Sequence, residues 1–178
     1  MLKQSQILDE KNKILRQKSI KATFPLDEKY KNLINDVLEY LRLSQDDEYA
    51  EENNIRAGMG LAFPQLGILK RIFVISYKND DGTFEEHVVI NPEIVSNSEE
   101  QIYVEEGEGC LSVNRPVDGI VPRYARVTVE YSDIDGNRKS IRVREEMSVA
   151  FQHEIDHLNG ILFVDKIDNR NKNNLRAI

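Results

Sequence analysis

Cysteine is nearly missing from this sequence. Cys110 stands alone among 178 residues, so no disulfide can form within the chain. A lone thiol is either inert core or chemistry. No apolar run approaches the roughly 18 residues that cross a membrane. The first twenty residues lack the continuous apolar segment of a signal peptide, and Asp9 and Glu10 interrupt any transit-peptide pattern. A cytoplasmic protein is expected. Basic excess is lacking too: 24 Lys and Arg face 31 Asp and Glu, a net charge of −7. Duplex nucleic acid calls for a basic surface, which this chain as a whole does not offer. There is no internal repeat, no low-complexity tract and no linker. The reading is of a single domain over residues 1–178. A domain of that length buries roughly 70% of its unfolded surface and needs no covalent staples.

What is present is patterned. After Pro25, Tyr30, Leu33, Ile34, Val37, Leu38 and Leu41 recur at helical spacing, with Asp27 placed as an N-cap. The acidic stretch Ser44–Asn54 reads as a solvated surface loop. From Arg71 the period changes to that of strands. Arg71–Tyr77 leads into the turn signal Asn79–Gly82 and then Phe84–Pro92, where Pro92 is expected to stop the ladder. Arg126–Tyr131 and Lys139–Arg144 alternate around Asp135–Gly136, a hairpin signal. A last helix spans Glu146–Asn159, with Gly160 just past its end and Phe151, Ile155, Leu158 and Leu162 as its apolar stripe. The order predicts an α+β fold, with antiparallel or mixed sheets packed around the C-terminal helix and a helical segment near the N-terminus.

On that last helix stands His153-Glu154-Ile155-Asp156-His157. Histidines four apart project from one side of a helix, one turn above the other, so both imidazoles can reach one metal ion. Glu154 is displaced round the helix, where a carboxylate can touch a water at the metal without being a ligand. The apolar stripe lies on another side, so packing does not need the histidines. The bland alternative is two surface histidines beside acidic neighbours. A catalytic site adds a third protein ligand and keeps one position open. The metzincin pattern would put histidine six residues after His157, but that position is Phe163. Thermolysin-like enzymes use a later glutamate, and none follows Glu154. His87 and Cys110 remain as candidates. His87 lies among alternating strand residues with an ordinary explanation. Cys110 lies in Gly107-Glu108-Gly109-Cys110-Leu111-Ser112, where glycines permit the close approach a metal loop needs, and it is favoured. A small buried core thiol is its plain alternative. A second glycine cluster, Gly58-Met59-Gly60-Leu61-Ala62-Phe63-Pro64-Gln65, lacks the spacing and lysine of a phosphate loop. Its small residues suit backbone running beside a substrate, and Gln65 brings an amide donor of the kind that steadies an oxyanion.

Together the three segments resemble the peptide deformylases. That family carries Gly-x-Gly-Leu-Ala-x-x-Gln, Glu-Gly-Cys-Leu-Ser and His-Glu-x-x-His-Leu-x-Gly in this order, matched here at Gly58–Gln65, Glu108–Ser112 and His153–Gly160. The acidic stretch before Gly58, the Gly-Glu-Gly-Cys form and Phe151-Gln152 resemble the type II bacterial branch. The resemblance covers Arg56 to Asp168. It implies removal of the N-formyl group from the first methionine of new proteins. It implies Cys110, His153 and His157 as ligands of one divalent metal, iron(II) foremost, with nickel, cobalt or zinc as substitutes. Glu154 would carry the proton, while the Gln65 amide and the Leu111 N–H would hold the oxyanion. Met59, Gly60, Val149 and Ala150 would line the pocket for the methionine side chain, beside His153. Phe63 stands where the family usually has alanine, in a segment expected to line the cleft. The partners implied are nascent formyl-methionyl chains at the ribosome, met by a monomer without membrane or duplex nucleic acid.

Two rival readings use the same helix. A zinc endopeptidase would need a cleft for peptide on both sides of the scissile bond and a third ligand other than cysteine. A metal-stapled binding module would need four closing ligands, and only three good ones are found.

Overall fold

The computed structural model describes residues 2–170 and 172–178. Asp27 accepts a hydrogen bond from the Lys29 N–H and opens α1 (Glu28–Ser44), whose buried face includes Ile34, Val37, Tyr40 and Leu41. The acidic stretch after it is not a loop. Asp46 caps the Tyr49 N–H and starts a second short helix, α2 (Asp47–Asn53). Asp47 and Glu48 fall in its first turn, where negative charge meets the positive end of the helix dipole. Asn54, in the left-handed region at φ 50°, ends it.

The strands follow as β1 (Gly60–Ala62), β2 (Ile72–Lys78), β3 (Phe84–Asn97), β4 (Gln101–Tyr103), β5 (Arg123–Tyr124), β6 (Arg126–Ser132) and β7 (Arg138–Arg144). Then come α3 (Glu145–Leu158) and β8 (Arg176–Ala177). Pro92 does not stop its ladder as expected. β3 runs on to Asn97, because the pairing with β6 shifts register between Ile90 and Glu93. Pro92 sits inside that bulge beside Asn91 at φ 52°, where a missing N–H costs no ladder bond.

A five-stranded antiparallel sheet runs β1-β2-β3-β6-β7, and a small sheet runs β5-β4-β8 with β4 and β8 parallel. β2 is covered on both faces. Ile72 and Val74 join the cluster under α1, while Phe73 and Ile75 join the one under α3. The two helices thus sandwich the sheet, and the apolar run of β2 loses its alternation for that reason.

Every residue of α3 from Ser148 to Leu158 is buried. Phe151, Ile155 and Leu158 face the sheet with Val127, Val129 and Val143, each such side chain contributing about 1.5–3 kcal/mol of burial. Gly160 closes the helix at φ 74°, and a Cβ there would stand 2.6 Å from the Arg16 carbonyl oxygen. The small sheet holds the two ends of the 104–122 loop beside α3. Among the described residues no helix is long and apolar enough to cross a membrane.

Candidate active site

His153 and His157 leave α3 on one side, with ring centroids 5.0 Å apart. Cys110 arrives from the loop between β4 and β5, and its Sγ lies 3.3 Å from His157 Nε2. One donor atom from each of the three residues falls within 4.8 Å of the others. His153 Nδ1–H donates to Glu108 Oε2 at 2.8 Å, which leaves Nε2 to face the cluster. One thiolate and two imidazoles suit a first-row divalent ion, and three donors leave a position open for water. The donor set fits a catalytic metal.

Glu154 enters the same space from the next position on α3. Gly60 of β1 lies against it so closely that a Cβ at Gly60 would stand 2.5 Å from Glu154 Oε1. Its Oε2 is buried without a hydrogen-bond partner among the described residues. The carboxylate is therefore not consumed by the fold. Gln65 lies on the 3₁₀ turn Phe63–Leu66 just after β1. Its Oε1 accepts from the Ala62 N–H at 2.8 Å, and its Nε2 donates to Ser112 Oγ at 3.1 Å. The same amide nitrogen lies 3.7 Å from Cys110 Sγ. Both ends of the side chain are held, so the amide points at the thiolate loop.

One cavity of about 380 Å³ joins these groups. Met59, Gly60, Gln65, Cys110, Leu111, Val149, Ala150, His153 and Glu154 all line it. His157 lies behind it, 1% exposed. Phe63 does not reach the cleft. It is fully buried on the α1 side, edge-on to Tyr30 with centroids 5.8 Å apart, so its bulk fills core. His87, the other candidate ligand, is spent elsewhere, bound to Glu85 at 2.8 Å and packed on Phe151.

Behind Cys110, His153 and His157 lies a buried ionic chain. Arg123 Nε and Nη2 grip Glu108 at 2.7 and 3.0 Å, and its Nη1 donates to Asp156 Oδ2 at 2.6 Å. Lys166 holds the other Asp156 oxygen at 2.8 Å. Burial alone would raise the Glu108 carboxyl, but hydrogen bonds from His153 and Arg123 outweigh it and hold the group at about 2. Glu154 has no such support, and burial pushes it up to about 7. Burial also opposes charge on both histidines. It prevails at His157, which is driven well below its ordinary value, whereas the hydrogen bonds to Cys110 and Glu108 carry His153 well above. Thiolate and neutral imidazole are the metal-binding forms, so an ion held by these three residues would displace the protons they carry.

Residues 4–173 match the family described as polypeptide deformylase. The chain belongs to that family. A peptide deformylase of Oceanobacillus iheyensis is 42% identical over 175 residues, covering 98% of this chain and 96% of that one. Peptide deformylase 2 of Bacillus anthracis is 42% identical over 171 residues, 96% of this chain and 93% of the relative. The crystal structure of a class I type b peptide deformylase from Acinetobacter baumannii, bound to Met-Ala-Ser, superposes with a TM-score of 0.71. It is 30% identical and covers 90% of this chain and 96% of that one.

In this polypeptide deformylase, the residues that brace the cluster have no signal of that role in the sequence. Arg56 Nη1 and Nη2 donate to the carbonyls of Val113 and Leu111 at 2.8 and 2.6 Å and so brace the Cys110 loop. Glu108 is visible inside its motif, but its bond to His153 is not. Arg123 carries no local signal, since only the fold brings it between Glu108 and Asp156.

Proposed function

We propose that this chain is a metal-dependent amide hydrolase that removes the formyl group from the N-terminal methionine of newly made proteins. The observation that carries this reading is the clustering of Cys110, His153 and His157, with Cys110, His153 and Glu154 opening on one cleft. Cys110, His153 and His157 hold the metal, with iron(II) as the resident ion and nickel, cobalt or zinc as substitutes. The ion supplies Lewis acidity and a water of lowered pKa. Glu154 accepts the proton of the attacking water on its unengaged carboxylate and returns it to the leaving amine. Gln65 Nε2 and the Leu111 N–H hold the oxyanion that develops on the formyl oxygen. Met59, Gly60, Val149 and Ala150 receive the methionine side chain. Residues 1–178 act as one catalytic domain, a cytoplasmic monomer meeting nascent chains at the ribosome.

The Met-Ala-Ser bound by the Acinetobacter protein is a methionyl peptide without its formyl group, which supports the substrate class. Formate release from formyl-Met-Ala-Ser tests the reading. The metal-loaded protein is expected to release it far faster than buffer does, with no cleavage of casein. Release no faster than buffer contradicts the assignment, and casein cleavage points instead to an endopeptidase.

A further inference from the structure

On the face of the large sheet away from α3 lies a polar hollow. Val127, Val129 and Val143 turn one face of β6 and β7 to α3, so strand alternation turns Arg126, Thr128 and Arg142 to the other. Ser96 of β3 and Arg142 of β7 stand opposite Thr128 from its two sides, which makes one row across three strands. Ser96, Asn97, Arg126, Thr128 and Arg142 line a cavity of about 110 Å³ there, and no Asp or Glu lines it. Arg126 Nε is buried without a hydrogen-bond partner among the described residues, an unmet donor that calls for an explanation. Among those residues Arg142 makes no hydrogen bond or ion pair either, and the hydroxyls of Ser96 and Thr128 are unengaged. Ser98 is different, since its hydroxyl donates to the Glu100 carbonyl at 2.7 Å and accepts from the Arg126 N–H at 3.1 Å. The nearby carboxylates are committed elsewhere. Glu130, the next residue of β6 on this face, is bound by Arg138. Glu145 feels the charges of Arg126 and Arg144, but Arg176 holds both of its oxygens at 2.7 and 2.8 Å.

We propose that this hollow is a binding site for a phosphate group, gripped by Arg126 and Arg142 together with the hydroxyls of Ser96 and Thr128. Arg126 and Arg142 are diagonal neighbours on the sheet, roughly 7–8 Å apart at their backbones, so both side chains can reach one tetrahedral anion. A guanidinium fork matches two phosphate oxygens at once, and the hydroxyls can donate to those that remain. The inference does not rest on the deformylase reading, because no residue of the metal cleft takes part. Free phosphate and the phosphodiester of a single nucleic-acid strand present the same oxygens. Arg144, exposed and opposite Arg126 in the register, gives a strand a second contact that a free ion does not use. Arginines that only add charge to the surface would treat chloride and phosphate alike.

The test titrates the whole, zinc-loaded, isotope-labelled chain with inorganic phosphate at constant ionic strength and follows its NMR spectrum. The Arg126 Nε–H signal and the amides of Arg126, Thr128 and Arg142 are expected to shift and saturate, and chloride is expected to move none of them. Arg142→Gln removes one fork, and Arg126→Lys keeps the charge but not the fork. Each is expected to weaken phosphate binding about three- to tenfold, with the amide signals of α3 and the Cys110 loop unchanged as the sign of an intact fold. A short single-stranded oligonucleotide separates the sources. Tighter binding than phosphate, weakened by Arg144→Gln, assigns the site to a nucleic-acid backbone, and binding no tighter assigns it to the free ion. Absence of saturable shifts, shifts confined to α3 and the Cys110 loop, shifts that chloride reproduces, or unchanged affinity in both variants overturns the inference.

Discussion

Two glutamates near Cys110, His153 and His157 show what environment does to one residue type. Glu108, gripped by Arg123 and His153, stays ionised and acts as a fixed hydrogen-bond acceptor. Glu154, buried and unsupported, is shifted towards neutrality, the range in which a carboxyl group can both take and return a proton. Gly60 belongs to the same arrangement, since only a residue without Cβ lets the Glu154 carboxylate lie against β1. Gly60→Ala is therefore expected to displace that carboxylate while leaving Cys110, His153 and His157 in place. Turnover should fall by on the order of 10²-fold, the usual effect of a catalytic group misplaced by about 1 Å, with metal content unchanged. Formate release measured beside metal analysis checks this. Full turnover in the variant would show that Glu154 has room the structure does not give it.

Between elements, one guanidinium joins the thiolate loop to the histidine helix. Arg123 belongs to β5, Glu108 lies two residues before Cys110, and Asp156 lies between His153 and His157. An ammonium cannot reproduce this fork. Arg123→Lys is expected to weaken metal binding about 10–100-fold, the usual effect of losing an outer partner of a ligand. A changed visible spectrum of the cobalt form should accompany the loss. Arg123→Met strands two buried carboxylates and is expected to cost about 3–5 kcal/mol of stability, read from chemical denaturation. A lysine variant with unchanged affinity and spectrum would reduce Arg123 to a packing role. None of this was legible locally, because β5 is two residues long and exists only through its pairing with β4. The long elements were legible, since α1 and β6 bury periodic faces, β2 is a continuous apolar run, β7 alternates in sequence, and α3 carries an apolar stripe. Asp46–Asn53 escaped because α2 has no buried residue, and capping and dipole effects alone leave no apolar pattern to read.

Across the whole molecule, the three sequence segments become one site because the large sheet and α3 bring them together. β1 and the turn after it lay Gly60 and Gln65 on one side, the small sheet returns the Cys110 loop to another, and α3 presents His153, Glu154 and His157 between them. The ligand types were readable because residue chemistry and helical spacing are local. Cys110 was already favoured over His87 from its glycine-flanked loop, and the fold adds that His87 is turned to Glu85 and Phe151. Phe63 shows the converse, a departure within a motif that faces the α1 core instead of the cleft. The central claim is that Cys110, His153 and His157 hold the metal and Glu154 moves the proton. Metal content and formate turnover, measured together in the wild type, Cys110→Ser and Glu154→Gln, test it most directly. The wild type is expected to carry about one ion per chain, and Cys110→Ser to lose metal and turnover together. Glu154→Gln is expected to keep its metal while turnover falls on the order of 10²–10⁴-fold. Loss of metal from Glu154→Gln as complete as from Cys110→Ser, or full turnover without the carboxylate, would contradict the account.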